Sequence, residues 1–164
     1  FKIIKKWIKD NGIKYLGDYK IVDYKNITKE KLLNLTYFTI NYDYIPKEFF
    51  KLKNIKKLII INRETIPKEI YNLKNLEELI IGGSKRGYKI DKLPEGITKL
   101  KKLTSIQLGF INLTKLPKEL FDLVNLQKLI ISNLKEINLS FNKIKKLSKN
   151  ITNIKKLEML DISN

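Results

Sequence analysis

A nine-residue frame recurs five times in this chain and constrains its fold more than any other feature. Each copy opens on an apolar residue followed by Pro or Ser, and apolar residues stand three, six and nine positions after that second residue. The five openings are Ile45-Pro46, Ile66-Pro67, Leu93-Pro94, Leu116-Pro117 and Leu147-Ser148. Because every copy continues as apolar-x-x-apolar-x-apolar, the repeat predicts a solenoid of stacked coils that share one core.

One coil combines a short strand with a short helical turn. The stretch with Leu76, Leu79 and Ile81 places alternate residues inward, which is typical of a strand. The Pro found in four of the five copies suits the first position of a helix, where its missing N–H needs no partner. Strand and turn are therefore expected to bury their apolar sides against each other and against the next coil.

The repeat resembles that of the leucine-rich repeat family in its bacterial form, LPxxIxxLxxLxxLxLxxN. The resemblance rests on residues 66–81, IPKEIYNLKNLEELII, and on residues 116–131, LPKELFDLVNLQKLII. It implies an α/β leucine-rich repeat solenoid, a curved right-handed horseshoe with a parallel sheet on the concave face and short helices on the convex face. It also implies that the protein binds a partner and is not an enzyme.

The first 33 residues do not match the repeat, and we expect them to form an N-terminal cap. Residues 1–8 space their apolar positions like an amphipathic helix that stops near Asn11-Gly12. We expect Trp7, on the apolar side of this helix, to be buried against the first repeat.

The remainder of the cap segment contains two weaker signals. Residues 19–24 suggest an edge strand. Thr28 is a candidate N-cap for a short helix that leads into the first repeat.

Residues 34–164 hold the repeats, whose lengths differ on one rim only. The coils start at Leu35, Ile55, Leu76, Leu103 and Leu126, which gives lengths of 20, 21, 27 and 23 residues. All of this variation falls between the strand and the Pro. The family's ladder Asn is clear only at Asn142, so we expect the other turns to satisfy their backbone groups differently.

Two irregularities mark the second half of the chain. A new strand pattern, Leu134, Ile137 and Leu139, begins almost directly after Ile131. Either a repeat was deleted or chain is omitted between Ser132 and Asn133, and we favour the second explanation. The sequence also ends within a strand pattern, so we expect a C-terminal cap beyond Asn164.

The net charge of +17 is made almost entirely of Lys, since Arg63 and Arg86 are the only Arg residues. The chain has no Ala and is rich in Ile, Asn, Lys and Tyr, which is typical of an AT-rich genome. Nucleic-acid readers rely on the bidentate fork of Arg. We therefore weight codon bias above a selected nucleic-acid surface.

The sequence gives little support for a catalytic function. The chain has neither His nor Cys, which removes the usual nucleophile–base arrangements and zinc ligand sets. Residues 82–87 resemble a phosphate loop only superficially, because Tyr88-Lys89 follows where Gly-Lys-Ser/Thr is needed. We predict no catalytic residue, no metal site and no cofactor. No apolar run approaches the length of a membrane-spanning helix.

The candidate binding surface is the concave face, which is read from the period of two along each strand. Ile59, Ile61, Ile80 and Ile130 would be apolar and exposed, with Ile59 and Ile80 in contact. Such a patch indicates a protein-binding site, although a simple abundance of β-favouring Ile explains it about as well. The predicted partner-binding residues are Tyr37, Thr39, Lys57, Ile59, Ile61, Glu78, Ile80, Gln107, Lys128 and Ile130.

A column of Lys supports the alternative function. Lys53, Lys74, Lys101 and Lys155 share one repeat position, so stacking would align them along the solenoid. Such a line can hold nucleic acid, an anionic glycan or a membrane surface without specificity.

A further alternative is that the chain is the substrate-targeting part of a larger protein. The identity of the protein partner and the cellular location stay open, with the cytoplasm slightly favoured over secretion or surface attachment.

Overall fold

A computed structural model describes residues 1–41, 44–61, 65–82, 93, 96–109, 120, 123, 125–132 and 159–163. The chain begins with helix α1 (Lys2–Asp10), a hairpin of β1 (Tyr15–Leu16) and β2 (Tyr19–Lys20), a 3-10 turn (Tyr24–Asn26) and helix α2 (Lys29–Leu33). The strands that follow are β3 (Tyr37–Ile40), β4 (Lys57–Ile61), β5 (Glu78–Gly82), β6 (Ser105–Gly109), β7 (Lys128–Ser132) and β8 (Met159–Ser163). Between strands, the described residues include the 3-10 helices Lys47–Lys51, Lys68–Asn72 and Ile97–Lys99.

Strands β3 to β8 form one parallel sheet in chain order. Equivalent positions of successive repeats pair with each other, so that Leu58 pairs with Leu79 and Leu79 pairs with Ile106. Strand β8 pairs directly with β7. The strand predicted at residues 134–139 and the irregular junction after Ser132 lie outside the described residues.

The helical turns are 3-10 helices, because the repeat frame has a period of three residues. In the first coil the N–H groups of Phe49, Leu52 and Ile55 donate to the carbonyls of Pro46, Phe49 and Leu52. Each of these N–H groups therefore bonds to the carbonyl of the residue three positions earlier. A 3-10 helix has three residues per turn, so positions spaced by three face the same way. All three side chains are buried.

Pro stands one position earlier than predicted. Pro46 and Pro67 are N-cap residues with ψ of 137° and 134°, so their backbone is extended and not helical. Their carbonyls accept the first i→i+3 bonds, from Phe49 at 2.9 Å and Ile70 at 3.1 Å. The prediction of Pro at the first helical residue was wrong, because the tight turn begins at the Pro carbonyl.

The segment before the sheet agrees only partly with the sequence pattern. Helix α1 is present, and Gly12 follows it with φ of +59°. The Thr28 side chain accepts a bond from the Lys31 N–H, so its prediction as an N-cap is confirmed. The strand predicted over residues 19–24 is confirmed only at Tyr19–Lys20, and it pairs with Tyr15–Leu16 in a hairpin that is separate from the main sheet.

One apolar core runs from α1 to β7 and contains, among the residues whose burial the structure describes, the nine-residue-frame positions that the sequence assigns to the interior. Trp7 is 5% exposed and contacts Phe38 and Phe49, with ring centroids 6.1 Å and 6.0 Å from its own. Its predicted burial is confirmed. Because the core is continuous, the first helix and the sheet are packed as one unit.

Candidate functional site

The predicted binding residues lie together on one face of β3 to β7, which we call the open face. Along each strand, buried residues alternate with partly exposed ones; in β4 Leu58 and Ile60 are buried, whereas Lys57, Ile59 and Ile61 are partly exposed. The same holds for β5, with Leu79 and Ile81 buried. Residues of the open face are Tyr37, Thr39, Lys57, Ile59, Ile61, Glu78, Ile80, Ser105, Gln107, Lys128 and Ile130. Lys128 is exposed and the others are partly exposed.

Strand register arranges these side chains in rows. The central row pairs Thr39 with Ile59, Ile59 with Ile80, Ile80 with Gln107, and Gln107 with Ile130. Because neighbouring strands lie about 4.8 Å apart, Ile59 and Ile80 form one apolar pair. Gln107 separates that pair from Ile130. The apolar surface is therefore shorter than a continuous line of four Ile residues.

A polar row borders the central row. It pairs Tyr37 with Lys57, Lys57 with Glu78, Glu78 with Ser105, and Ser105 with Lys128. Lys57 Nζ lies 2.9 Å from Glu78 Oε2. A partly exposed ion pair of this kind stabilises the sheet by only about 0–1 kcal/mol. Its main effect here is to place opposite charges in a fixed position beside Ile59 and Ile80.

The opposite border carries little side-chain bulk. Ile61 pairs with Gly82, and Gly82 pairs with Gly109. A Cβ added to Gly82 would lie 3.5 Å from Cγ2 of Ile61, an ordinary contact distance. Gly109 is buried, unlike Gly82, which is partly exposed. The open face therefore has a polar edge, an apolar centre and an edge lined partly by glycine.

The first strand ends the open face with a hydrogen-bonded pair. The Tyr37 hydroxyl and the Thr39 hydroxyl lie 2.9 Å apart. Both residues are partly exposed. The phenol ring of Tyr37 is thus fixed at the beginning of the central and polar rows.

A set of Asn side chains that the sequence analysis missed links neighbouring coils. Asn54, Asn75 and Asn125 stand two residues after the buried Leu that ends each turn, and each amide donates to a backbone carbonyl one coil earlier. The acceptors are the carbonyls of Leu33, Lys53 and Lys101, all at 2.8 Å. The available signal was the recurring Leu-x-Asn at these positions.

The coil between Asn75 and Asn125 has Lys102 at this position. Its Nζ donates to Asn75 Oδ1 at 2.7 Å, so Asn75 bonds to the coils on both sides. The family's own ladder positions, 43, 63, 84, 111 and 142, lie outside the described residues. Among the described residues, Asn side chains at another position in the repeat thus add bonds between coils to those of the backbone ladder.

The predicted lysine column is partly described. Lys53, Lys74 and Lys101 are exposed, on successive coils, at the residue before the coil-bridging position. Lys155 lies outside the described residues. No ion pair links these three Lys residues to an acidic side chain within the described ranges.

The described part of the chain offers no group of three or more acidic side chains arranged to hold a metal ion. Its helices are all too short or too polar to cross a bilayer.

The parallel sheet with few helices resembles the fold of leucine-rich repeat proteins. A leucine-rich repeat protein of Leptospira interrogans is a structural neighbour, with a TM-score of 0.60 and 31% sequence identity. The match covers 81% of this chain and 33% of that protein, so this chain spans about a third of its length. The chain matches no protein-family model. A comparison with curated proteins likewise found no match. A fold of this kind suggests a non-enzymatic, protein-binding module in general.

Proposed function

We propose that this chain is a non-enzymatic protein-binding module, that its coils form a horseshoe-shaped leucine-rich repeat solenoid, and that a partner protein lies on the open face. In that geometry the open face is the concave face. Residues 1–33 act as the N-terminal cap of the solenoid. The partner contacts are the ten residues predicted from the sequence.

The observation that carries the proposal is the position of Ile59 and Ile80. They are neighbours in register, partly exposed, and bordered by the Lys57–Glu78 ion pair. Protein interfaces combine an apolar centre with a polar rim in this way. An apolar side chain of the partner that covers Ile59 and Ile80 would exclude water from both. Lys57 and Glu78 would select the partner by charge.

The test is a pair of substitutions that change the open face without touching the core. Ile59→Asp with Ile80→Asp should abolish capture of the partner in a pull-down from the source organism. The circular-dichroism spectrum and melting temperature should stay nearly unchanged. Val22→Asp is the control, because Val22 is 88% exposed and lies outside the open face. Capture that survives the double substitution would contradict the proposal.

A second candidate function is polyanion binding through Lys53, Lys74 and Lys101. It is favoured by their exposure on successive coils, next to backbone that the Asn amides hold in place. Lys53→Gln with Lys74→Gln should lower retention on heparin and reduce its salt dependence. The control is Lys2→Gln with Lys9→Gln, which removes the same charge from α1. If both pairs of substitutions lower retention on heparin equally, binding depends on the total positive charge and not on the lysine column.

A further inference from the structure

The outer edge of β3 faces a cleft that the sheet does not fill. The cleft has a volume of about 640 Å³. Gly12, Tyr15 and Asp18 line it on the side of α1 and the hairpin, and Tyr37, Thr39 and Asn41 line it on the side of the sheet. It lies at the first strand of the sheet and adjoins the open face through Tyr37 and Thr39, but neither Ile59 nor Ile80 lines it.

Strand register determines which backbone groups face the cleft. The Lys57 N–H donates to the Thr36 carbonyl at 3.0 Å, and Tyr37 pairs with Lys57. In a parallel pair with this register, the backbone groups of Phe38 and Ile40 point toward β4. Those of Tyr37 and Thr39 point the other way. The described residues provide no backbone hydrogen-bond partner on that side of β3.

The hairpin stands beside this edge without pairing to it. Strands β1 and β2 form their own two-stranded sheet. The turn comes close to β3 at Gly17, where an added Cβ would lie 3.0 Å from the Tyr37 carbonyl oxygen. Gly17 therefore covers the edge at Tyr37, whereas the N–H and C=O of Thr39 face the open part of the cleft.

Strand β3 lacks the features that protect exposed edges. Its sequence, Tyr-Phe-Thr-Ile, has no Pro and no charged residue, and it favours extended backbone. The hairpin wall limits what can approach. A sheet edge from a second copy of the chain would bring its own neighbouring strands and its own hairpin to the place where this hairpin already stands. A single extended peptide brings neither, and it needs to pair only beside Thr39, in the part of the edge that Gly17 leaves open.

We propose that the Thr39 edge of β3 binds one extended peptide segment of a partner protein as an added strand. The proposal rests on the proposed function, since it takes the ligand of this chain to be a protein, and it adds a second contact site for a partner's tail or loop. Backbone hydrogen bonds to Thr39 would supply affinity. Tyr15 and Asp18 would contact the peptide side chains.

The test uses a phage-displayed library of random heptapeptides screened against the whole chain. Thr39→Pro removes the outward N–H but no bond to β4, and Pro is accepted on edge strands. Thr39→Val is the matched control, because both variants lose the hydroxyl and only the first loses the N–H. Selected peptides should bind Thr39→Val like the wild type and Thr39→Pro about five- to tenfold more weakly, as expected for the loss of one backbone hydrogen bond.

Amide hydrogen exchange of the wild-type chain provides a second measurement that does not depend on the folding of Thr39→Pro. Without peptide, the Thr39 amide should exchange faster than those of Phe38 and Ile40. A bound peptide should protect it, and methylation of alternate peptide nitrogens should remove that protection. Peptides that leave Thr39 unprotected, or that bind Thr39→Pro as well as Thr39→Val, would overturn the proposal. Dimerisation that Thr39→Pro abolishes would also overturn it in favour of pairing between copies.

Different results would contradict the open-face proposal and the added-strand proposal. Ile59→Asp with Ile80→Asp should leave peptide binding at the cleft intact. If that double variant abolishes peptide binding while Thr39→Pro does not, the open face is the only peptide site. A third outcome is that the double variant loses partner capture and the library yields no peptide that binds the cleft. This outcome would support the proposed function and reject the added strand.

Discussion

The indole N–H of Trp7 donates to the backbone carbonyl of Tyr44 at 2.8 Å. This bond links helix α1 to the segment that follows the first strand of the sheet, across 37 residues of sequence. The Trp7 ring also packs on Phe38 and Phe49. Trp7 therefore attaches the N-terminal segment to the first coil both by a hydrogen bond and by ring contacts.

The substitution Trp7→Phe tests this attachment. The smaller phenyl ring would keep most of the apolar contact but would leave the Tyr44 carbonyl without its donor. We expect the free energy of unfolding to fall by about 1–3 kcal/mol, from the lost bond and the smaller ring. Urea denaturation followed by circular dichroism measures it. A variant as stable as the wild type would show that the bond contributes nothing.

Trp7 also allows a test of cooperativity, since it is the only Trp in the chain. Its fluorescence reports on the N-terminal helix, whereas circular dichroism reports mainly on the sheet. Because the buried residues form one continuous core, we expect both signals to change at the same urea concentration. An earlier fluorescence transition would mean that α1 separates from the coils before they unfold.

Asn75 should stabilise the stack through both of its bonds. Asn75→Ala removes the donor to the Lys53 carbonyl and the acceptor for Lys102 Nζ, so we expect a loss of about 1–2 kcal/mol in the free energy of unfolding. Asn72→Ala is the control in the same coil, because Asn72 is exposed. Thermal melting measures both variants, and Asn75→Ala should have the lower melting temperature. Equal melting temperatures would remove the structural role assigned to Asn75.

Leu79 and Ile80 test the two faces of the sheet at adjacent positions. Leu79 is 1% exposed, and Leu79→Ala should cost about 2–5 kcal/mol of stability because it leaves a cavity. Ile80 is partly exposed on the open face, so Ile80→Ala should cost clearly less. Chemical denaturation measures both variants. A larger loss for Ile80→Ala would mean that Ile80 belongs to the core and cannot be a free binding residue.

The repeat frame in the sequence determined much of this fold by itself. Spacing of three, six and nine residues identifies the buried positions Phe49, Leu52 and Ile55, because one side of each coil must be apolar to stack on its neighbours. The period of two along the strands likewise separates Leu58 and Ile60 from Ile59. The pairing of Ile59 with Ile80 follows from aligning the repeats.

Only the tertiary structure decided the contacts between elements. The bonds from Asn54 and Asn75 to the preceding coil depend on which carbonyl lies opposite each amide, and no local pattern specifies that distance. The separation of the hairpin from β3, with Gly17 close to Tyr37 and Thr39 left facing a cleft, also depends on how the first helix packs through Trp7. Local periodicity assigns residues to the inside or the outside. Contacts across many residues of sequence decide which inside surfaces meet and where an edge stays open.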